Sequence, residues 1–168
     1  VVPTIISHLL HGRITPSSEV KEFLRFGRSA SAPLAPDVQS AFEKRFGVSI
    51  IETMGLTETA AQILSNPLPP GARVIGSPGI AFGNLASILK SDGSEARAGE
   101  EGELIIKGPN VMLGYLDNPQ ATKEAFTGDG WLRTGDLVKK DKNGYYYVTG
   151  RLKELIIKGG ENIAPREI

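Results

Sequence analysis

The sequence predicts a mixed α/β chain in two parts. Residues 1–75 read as α/β, residues 76–150 as β-rich, and residues 151–168 as the start of a third unit. Three observations carry this. Apolar residues recur at helical spacing early in the chain. Short strand-like runs alternate with Gly, Pro, Asp and Asn turns from about Ala72 onward. Gly 20 and Pro 11 in 168 residues imply many turns and several loops.

The elements follow in order. Thr15-Pro16 can start a helix, because a proline in the first turn gives up only an amide that has no helical partner. Val20, Phe23 and Leu24 follow at helical spacing. Pro36-Asp37 opens a second helix with Val38, Ala41, Phe42 and Phe46 on one face and Gly47 as its stop. Val48–Ile51 is a short β-prone run leading to a turn at Gly55. Leu85–Lys90, Glu103–Lys107, Leu137–Asp141 and Tyr145–Thr149 read as strands, and Asn143-Gly144 joins the last two as a hairpin. Asn118 can cap a short helix running to about Ala125.

Composition narrows the function. Lys plus Arg and Asp plus Glu are 19 each, so no overall charge drives binding to nucleic acid or an anionic membrane. The chain has no Cys, which excludes disulfides and thiolate metal sites. No apolar run reaches the roughly 20 residues that span a bilayer. With no signal peptide in view, a cytoplasmic location is expected. Val1-Val2-Pro3 reads as the middle of a longer chain.

Several motifs bear chemistry, each beside a plainer alternative. Met54-Gly55-Leu56-Thr57-Glu58-Thr59 sets two hydroxyls around a carboxylate. Hydroxyls bind phosphate oxygens and a carboxylate holds Mg²⁺; alternatively, Thr57 simply caps a helix. Thr134-Gly135-Asp136 places an acid beside a glycine, where it could accept ribose hydroxyls or close a turn. Arg151 and Lys153 alternate in an extended segment and so share a face. They suit an anion or protect a strand edge. Gly159-Gly160 permits close ligand approach or makes an ordinary hairpin turn.

Taken in order, these motifs resemble the adenylate-forming superfamily: acyl-CoA synthetases, peptide-synthetase adenylation domains and luciferases. The resemblance runs from the Ser31-Ala32-Pro33 loop to the Gly-Gly-x-Asn-Ile-x-Pro-x-Glu-Ile terminus. It implies part of the large N-terminal domain: an α/β subdomain, then a small, distorted, barrel-like β subdomain. It implies ATP, Mg²⁺ and CoA as cofactors, a carboxylic acid as substrate, and no nucleic-acid partner. Such enzymes form acyl-AMP and pass the acyl group to CoA or to a carrier-protein thiol. Gly99, Glu100, Gly102, Glu103 and Leu104, with Asp129-Gly130-Trp131, sit closer to the CoA ligases. A non-catalytic nucleotide-binding module of the same fold is the remaining reading.

By the same resemblance, Ser31, Ala32 and Pro33 match the adenine-binding loop. Thr57 matches the α-phosphate contact, Glu58 the Mg²⁺ ligand, and Asp136 the ribose-binding acid. Arg151 matches a second ribose and phosphate contact and Lys153 the hinge of a C-terminal domain. Gly159 and Gly160 match a loop that enters the site for the thiol step. Met54 stands where the family usually has a tyrosine ring against adenine. Thr53 stands where glycine often opens the acyl tunnel, so a narrower or more polar acyl pocket is expected. Ile6 stands where some members carry a pocket histidine; His8 and His11 are expected to be structural. The family's phosphate loop and adenylating lysine are not in these residues. A fragment that does not adenylate alone is the expectation.

Overall fold

A computed structural model describes residues 1–13, 16–152, 156–158 and 161–163. Helix α1 (Pro3–His11) opens on a proline in its first turn and buries Ile6. No element was expected here from the sequence. Helix α2 (Ser18–Phe23) begins later than the Thr15-Pro16 signal, and Thr15 lies outside the described residues. Helix α3 (Pro36–Phe46) runs as its face and caps dictate. Gln39, Phe42 and Phe46 turn inward, and Gly47 ends the helix at φ 68°, a left-handed conformation that costs glycine little.

The first sheet has the order β1 (Gly27–Ser29), β2 (Ile50–Leu56), β3 (Ala61–Ser65), β4 (Ile80–Ala81). β1 and β2 are parallel, and the remaining pairs are antiparallel. β2 runs further than the Val48–Ile51 signal. Its first four residues are buried, as expected of a strand flanked on both sides.

The second sheet is an antiparallel meander of β5 (Leu85–Leu89), β6 (Glu101–Lys107), β7 (Leu132–Lys140) and β8 (Tyr146–Arg151). The meander is open and does not close into a barrel. The Asn143-Gly144 turn falls between β7 and β8, where Asp141 N donates to Tyr145 O at 2.9 Å. Helix α4 (Pro119–Ala125) precedes β7 and is capped by Asn118, whose side chain accepts from Ala121 N. A short hairpin, β9 (Ile156–Lys158) with β10 (Glu161–Ile163), ends the described chain.

Two apolar clusters hold this together. Ile6, Leu34, Phe42, Phe46, Val48 and Ile50 form one beneath α1 and α3. In the other, Ile63 and Leu64 of β3 pack with Ile88, Leu104, Ile106, Val138 and Tyr146 of the second sheet. The two sheets therefore share one core, with each fully buried aliphatic side chain contributing about 2 kcal/mol. Polar bonds reinforce the seam: Ser77 Oγ donates to Tyr146 O at 2.5 Å, and Tyr146 N to Gly79 O at 2.9 Å. Gly79 is required there. A Cβ would fall 2.0 Å from the Ser65 carbonyl carbon, and φ is 99°.

Candidate functional site

The seam between the sheets carries two adjoining clefts. The first, about 450 Å³, is lined by Ser31, Ala32 and Pro33 from the loop after β1, Thr53 and Met54 from β2, and Asp136 and Arg151 from β7 and β8. The loop after β1 bends sharply, and Ser31 sits at φ 73°, where a non-glycine residue is strained. Thr53 is buried, and its hydroxyl donates to Ser29 O at 3.2 Å. Pinned in this way, it presents bulk to the cleft.

Asp136 and Arg151 are directly opposed across β7 and β8, and Arg151 Nε donates to Asp136 Oδ1 at 2.6 Å. The carboxylate is buried while the guanidinium is half exposed. The pair therefore offers an acceptor at the cleft wall and a cation at its mouth.

The second cleft, about 720 Å³, is lined by Glu58, Tyr115, Glu103 and Arg133, among others. Leu56 and Arg151 line both clefts. Thr57–Thr59 forms a single 3₁₀ turn. The expected cap by Thr57 is not what is found. Leu56 occupies the capping position, and the buried Thr59 hydroxyl lies 3.2 Å from Leu56 N and 3.0 Å from Leu56 O and Ala61 O. Thr57 is exposed, and its hydroxyl has no partner among the described residues. Tyr115 Oη donates to Glu58 Oε1 at 2.8 Å, and Met112 N donates to Glu58 O at 2.7 Å. The bond to Glu58, foremost, raises the Tyr115 pKa above its ordinary value.

The structure thus brings Ser31, Ala32, Pro33, Thr53, Met54, Asp136 and Arg151 into one cleft and sets Glu58 in its neighbour. Ile6 is elsewhere. It is fully buried in the α1–α3 core and lines neither cleft, because α1 turns it inward. Lys153, Gly159 and Gly160 lie outside the described residues. Among them, no helix is long and apolar enough to cross a membrane, and no cluster of three or more acidic, His or Cys side chains forms a metal cage. Sequence reading missed the buried Glu52 of the first cleft. It also gave Tyr115, Glu103 and Arg133 no role in the site, although Glu103 falls in a quoted motif.

A family model described as AMP-binding enzyme matches residues 1–116. Sulfoacetate–CoA ligase of Cupriavidus necator is 57% identical over 100% of this chain and 32% of its own length. Oxalate–CoA ligase of Arabidopsis thaliana is 42% identical over 99% of this chain and 32% of its own. Among solved structures, ATP-bound MatB from Rhodopseudomonas palustris superposes with a TM-score of 0.87 at 39% identity, covering 99% of this chain and 33% of that one. O-succinylbenzoate coenzyme A synthetase from Bacillus subtilis, in complex with ATP and magnesium ion, gives 0.79 at 34% identity, covering 99% and 34%. The chain spans about a third of the length of the curated relatives it matches. With a family model covering most of its residues and relatives aligned along its whole length, the chain belongs to the AMP-binding enzyme family.

Proposed function

We propose that the full-length protein is an ATP-dependent carboxylate–CoA ligase. In this reading residues 1–75 and 76–150 are subdomains of its AMP-binding domain, and residues 151–168 are the hinge and the start of a C-terminal domain. The observation that carries it is the single cleft holding Ser31–Pro33, Met54, Asp136 and Arg151. Ser31, Ala32, Pro33 and Met54 would enclose adenine, and the adaptable thioether of Met54 would pack where a ring is usual. Asp136 and Arg151 would take the ribose hydroxyls. Thr57, whose hydroxyl is not used by the fold, would donate to the α-phosphate.

Glu58 fits a Mg²⁺ site of the kind that uses one carboxylate and substrate phosphates instead of a protein cage. Its carboxylate is held at one oxygen by Tyr115 and faces the cleft. Bound there, the ion would offset phosphate charge. The chain's own residues orient the nucleotide for attack by the substrate carboxylate on the α-phosphorus, with pyrophosphate leaving. Lys153 would serve as the pivot, and Gly159-Gly160 would enter the site for transfer to CoA.

The buried Thr53 favours a short acid, and relatives named for sulfoacetate and oxalate support that class. CoA is favoured over a carrier-protein thiol by the names of these relatives. The test is pyrophosphate–ATP exchange by the full-length protein across a panel of acids, with CoA-thioester detection. Exchange with short acids and a CoA thioester are expected; binding of ATP without exchange for any acid would favour a non-catalytic module.

A further inference from the structure

β6 and β7 fall out of register at one place. Glu103 pairs with Leu137 and Ile105 with Arg133, so Thr134, Gly135 and Asp136 of β7 stand opposite Leu104 alone. A bulge of this kind re-aims a side chain and leaves ladder groups without their usual partners. Here four of those groups are met by bonds outside the ladder. Thr134 Oγ1 donates to Leu104 O at 2.8 Å and accepts from Asp136 N at 3.1 Å. Gly135, at φ 74°, donates its N–H to Glu103 Oε1 at 3.1 Å and accepts from Leu152 N at 2.8 Å.

Glu103 itself is 5% exposed, which would be costly for a lone carboxylate. Its other oxygen, Oε2, accepts from Arg133 Nε at 2.9 Å and Nη2 at 2.6 Å. Both guanidinium donors converge on this one oxygen and hold that side of the carboxylate, which leaves Oε1 to Gly135 N. One residue further on, Asp136 points into the nucleotide cleft.

We infer that Glu103, oriented by Arg133, is a positioning residue for ribose recognition: it sets the Gly135 bulge that aims Asp136 at the ribose hydroxyls. This rests on the reading of Asp136 given above. Glutamine at 103 cannot serve both neighbours. If its oxygen faces Arg133, its NH₂ meets the Gly135 N–H; if its oxygen faces Gly135, its NH₂ meets the guanidinium.

The test uses the full-length protein and calorimetric affinities for ATP, 2′-deoxy-ATP and 3′-deoxy-ATP. The readout is the ratio of deoxy to ribo dissociation constants, which a general loss of stability would not move. Asp136→Asn is expected to collapse the ratio about tenfold, as the loss of a charged hydrogen bond does. Glu103→Gln is expected to lower it in the same direction by severalfold. If Glu103→Gln does not fold, Arg133→Met carries the test from a half-exposed position, and the ratio must again fall. An unchanged ratio in the folded 103 or 133 variant, with Asp136→Asn collapsed, overturns the inference alone. An unchanged ratio in Asp136→Asn overturns the ribose reading beneath it.

Discussion

Tyr115 donates its phenolic hydrogen to Glu58 Oε1 at 2.8 Å across a separation of 57 residues. The loop that carries it is itself anchored, since Tyr115 N donates to Thr122 Oγ1 at 2.9 Å and Thr122 Oγ1 to Asn118 O at 3.0 Å. A carboxylate proposed to hold a cation is thus steadied from another part of the fold. Tyr115→Phe in the full-length protein should weaken the apparent affinity for Mg²⁺ about fivefold, the worth of roughly 1 kcal/mol at a half-exposed site. A Mg²⁺ titration of ATP turnover, beside a melting curve that shifts little, checks this. An unchanged titration would separate Tyr115 from the cation.

Neighbouring threonines should behave oppositely. Thr59 is fully buried and closes the turn after β2 through Leu56 and Ala61. Thr59→Ala should destabilise the protein by about 1–3 kcal/mol, because it leaves buried backbone groups unmet. Thr57→Ala should change stability by less than about 0.5 kcal/mol yet slow adenylation by at least about tenfold. Chemical denaturation and pyrophosphate exchange on the same two variants distinguish the roles.

Glu43 clasps α3 to the start of β2. It accepts from Arg73 Nη1 at 2.6 Å, Arg73 Nη2 at 3.0 Å, Ile50 N at 2.8 Å and Gln39 Nε2 at 3.1 Å. Burial pushes its carboxyl up, but the bonds from Arg73, Ile50 and Gln39 together outweigh this and leave the pKa lowered. A lowered folded pKa contributes stability above the unfolded value and loses it as pH falls through the folded one. Glu43→Gln should therefore cost about 1–2 kcal/mol at pH 7. It should also flatten the acid limb of a melting-temperature profile below about pH 4.5.

Tyr146 should contribute to the alkaline limb. Burial, with a smaller push from Glu95, raises its pKa from 10.0 to about 12. A raised folded pKa gives stability that is complete below the unfolded value and lost as pH climbs through the folded one. Between pH 10 and 12 the protein should lose about 2–3 kcal/mol from this residue. Tyr146→Phe should remove that part of the slope. At neutral pH it should cost about 1 kcal/mol for the lost bond to Ala86 O, 2.8 Å away. Urea unfolding across that range is the measurement, and a slope unaltered by the substitution would count against this account.

Legibility in the sequence followed how local each cause is. The stop at Gly47, the cap at Asn118 and the turn at Asn143-Gly144 are set by residues within a few positions, and the structure has all three. Helix α1 escaped because Thr4, Ile5 and Ile6 are weak helix formers, while its burial of Ile6 depends on α3, more than thirty residues away. β3 escaped because five residues carry little period, and its burial comes from the second sheet. The candidate nucleotide residues were legible as a spaced series of motifs. Their support was not: the Glu103–Gly135 bond spans 32 residues and the Tyr115–Glu58 bond 57. Such pairings become visible only once the meander is folded.

Arg151 faces both clefts from one position. Charged occupants of the two would both feel this guanidinium, which is paired with Asp136 at 2.6 Å, while Arg133 lines the second cleft alone. An anion in either cleft alters the work of bringing an anion into its neighbour. Thermodynamics requires that penalty or gain to be equal in both orders of arrival. Through Arg151 the seam would thus tie occupancy of one cleft to occupancy of the other.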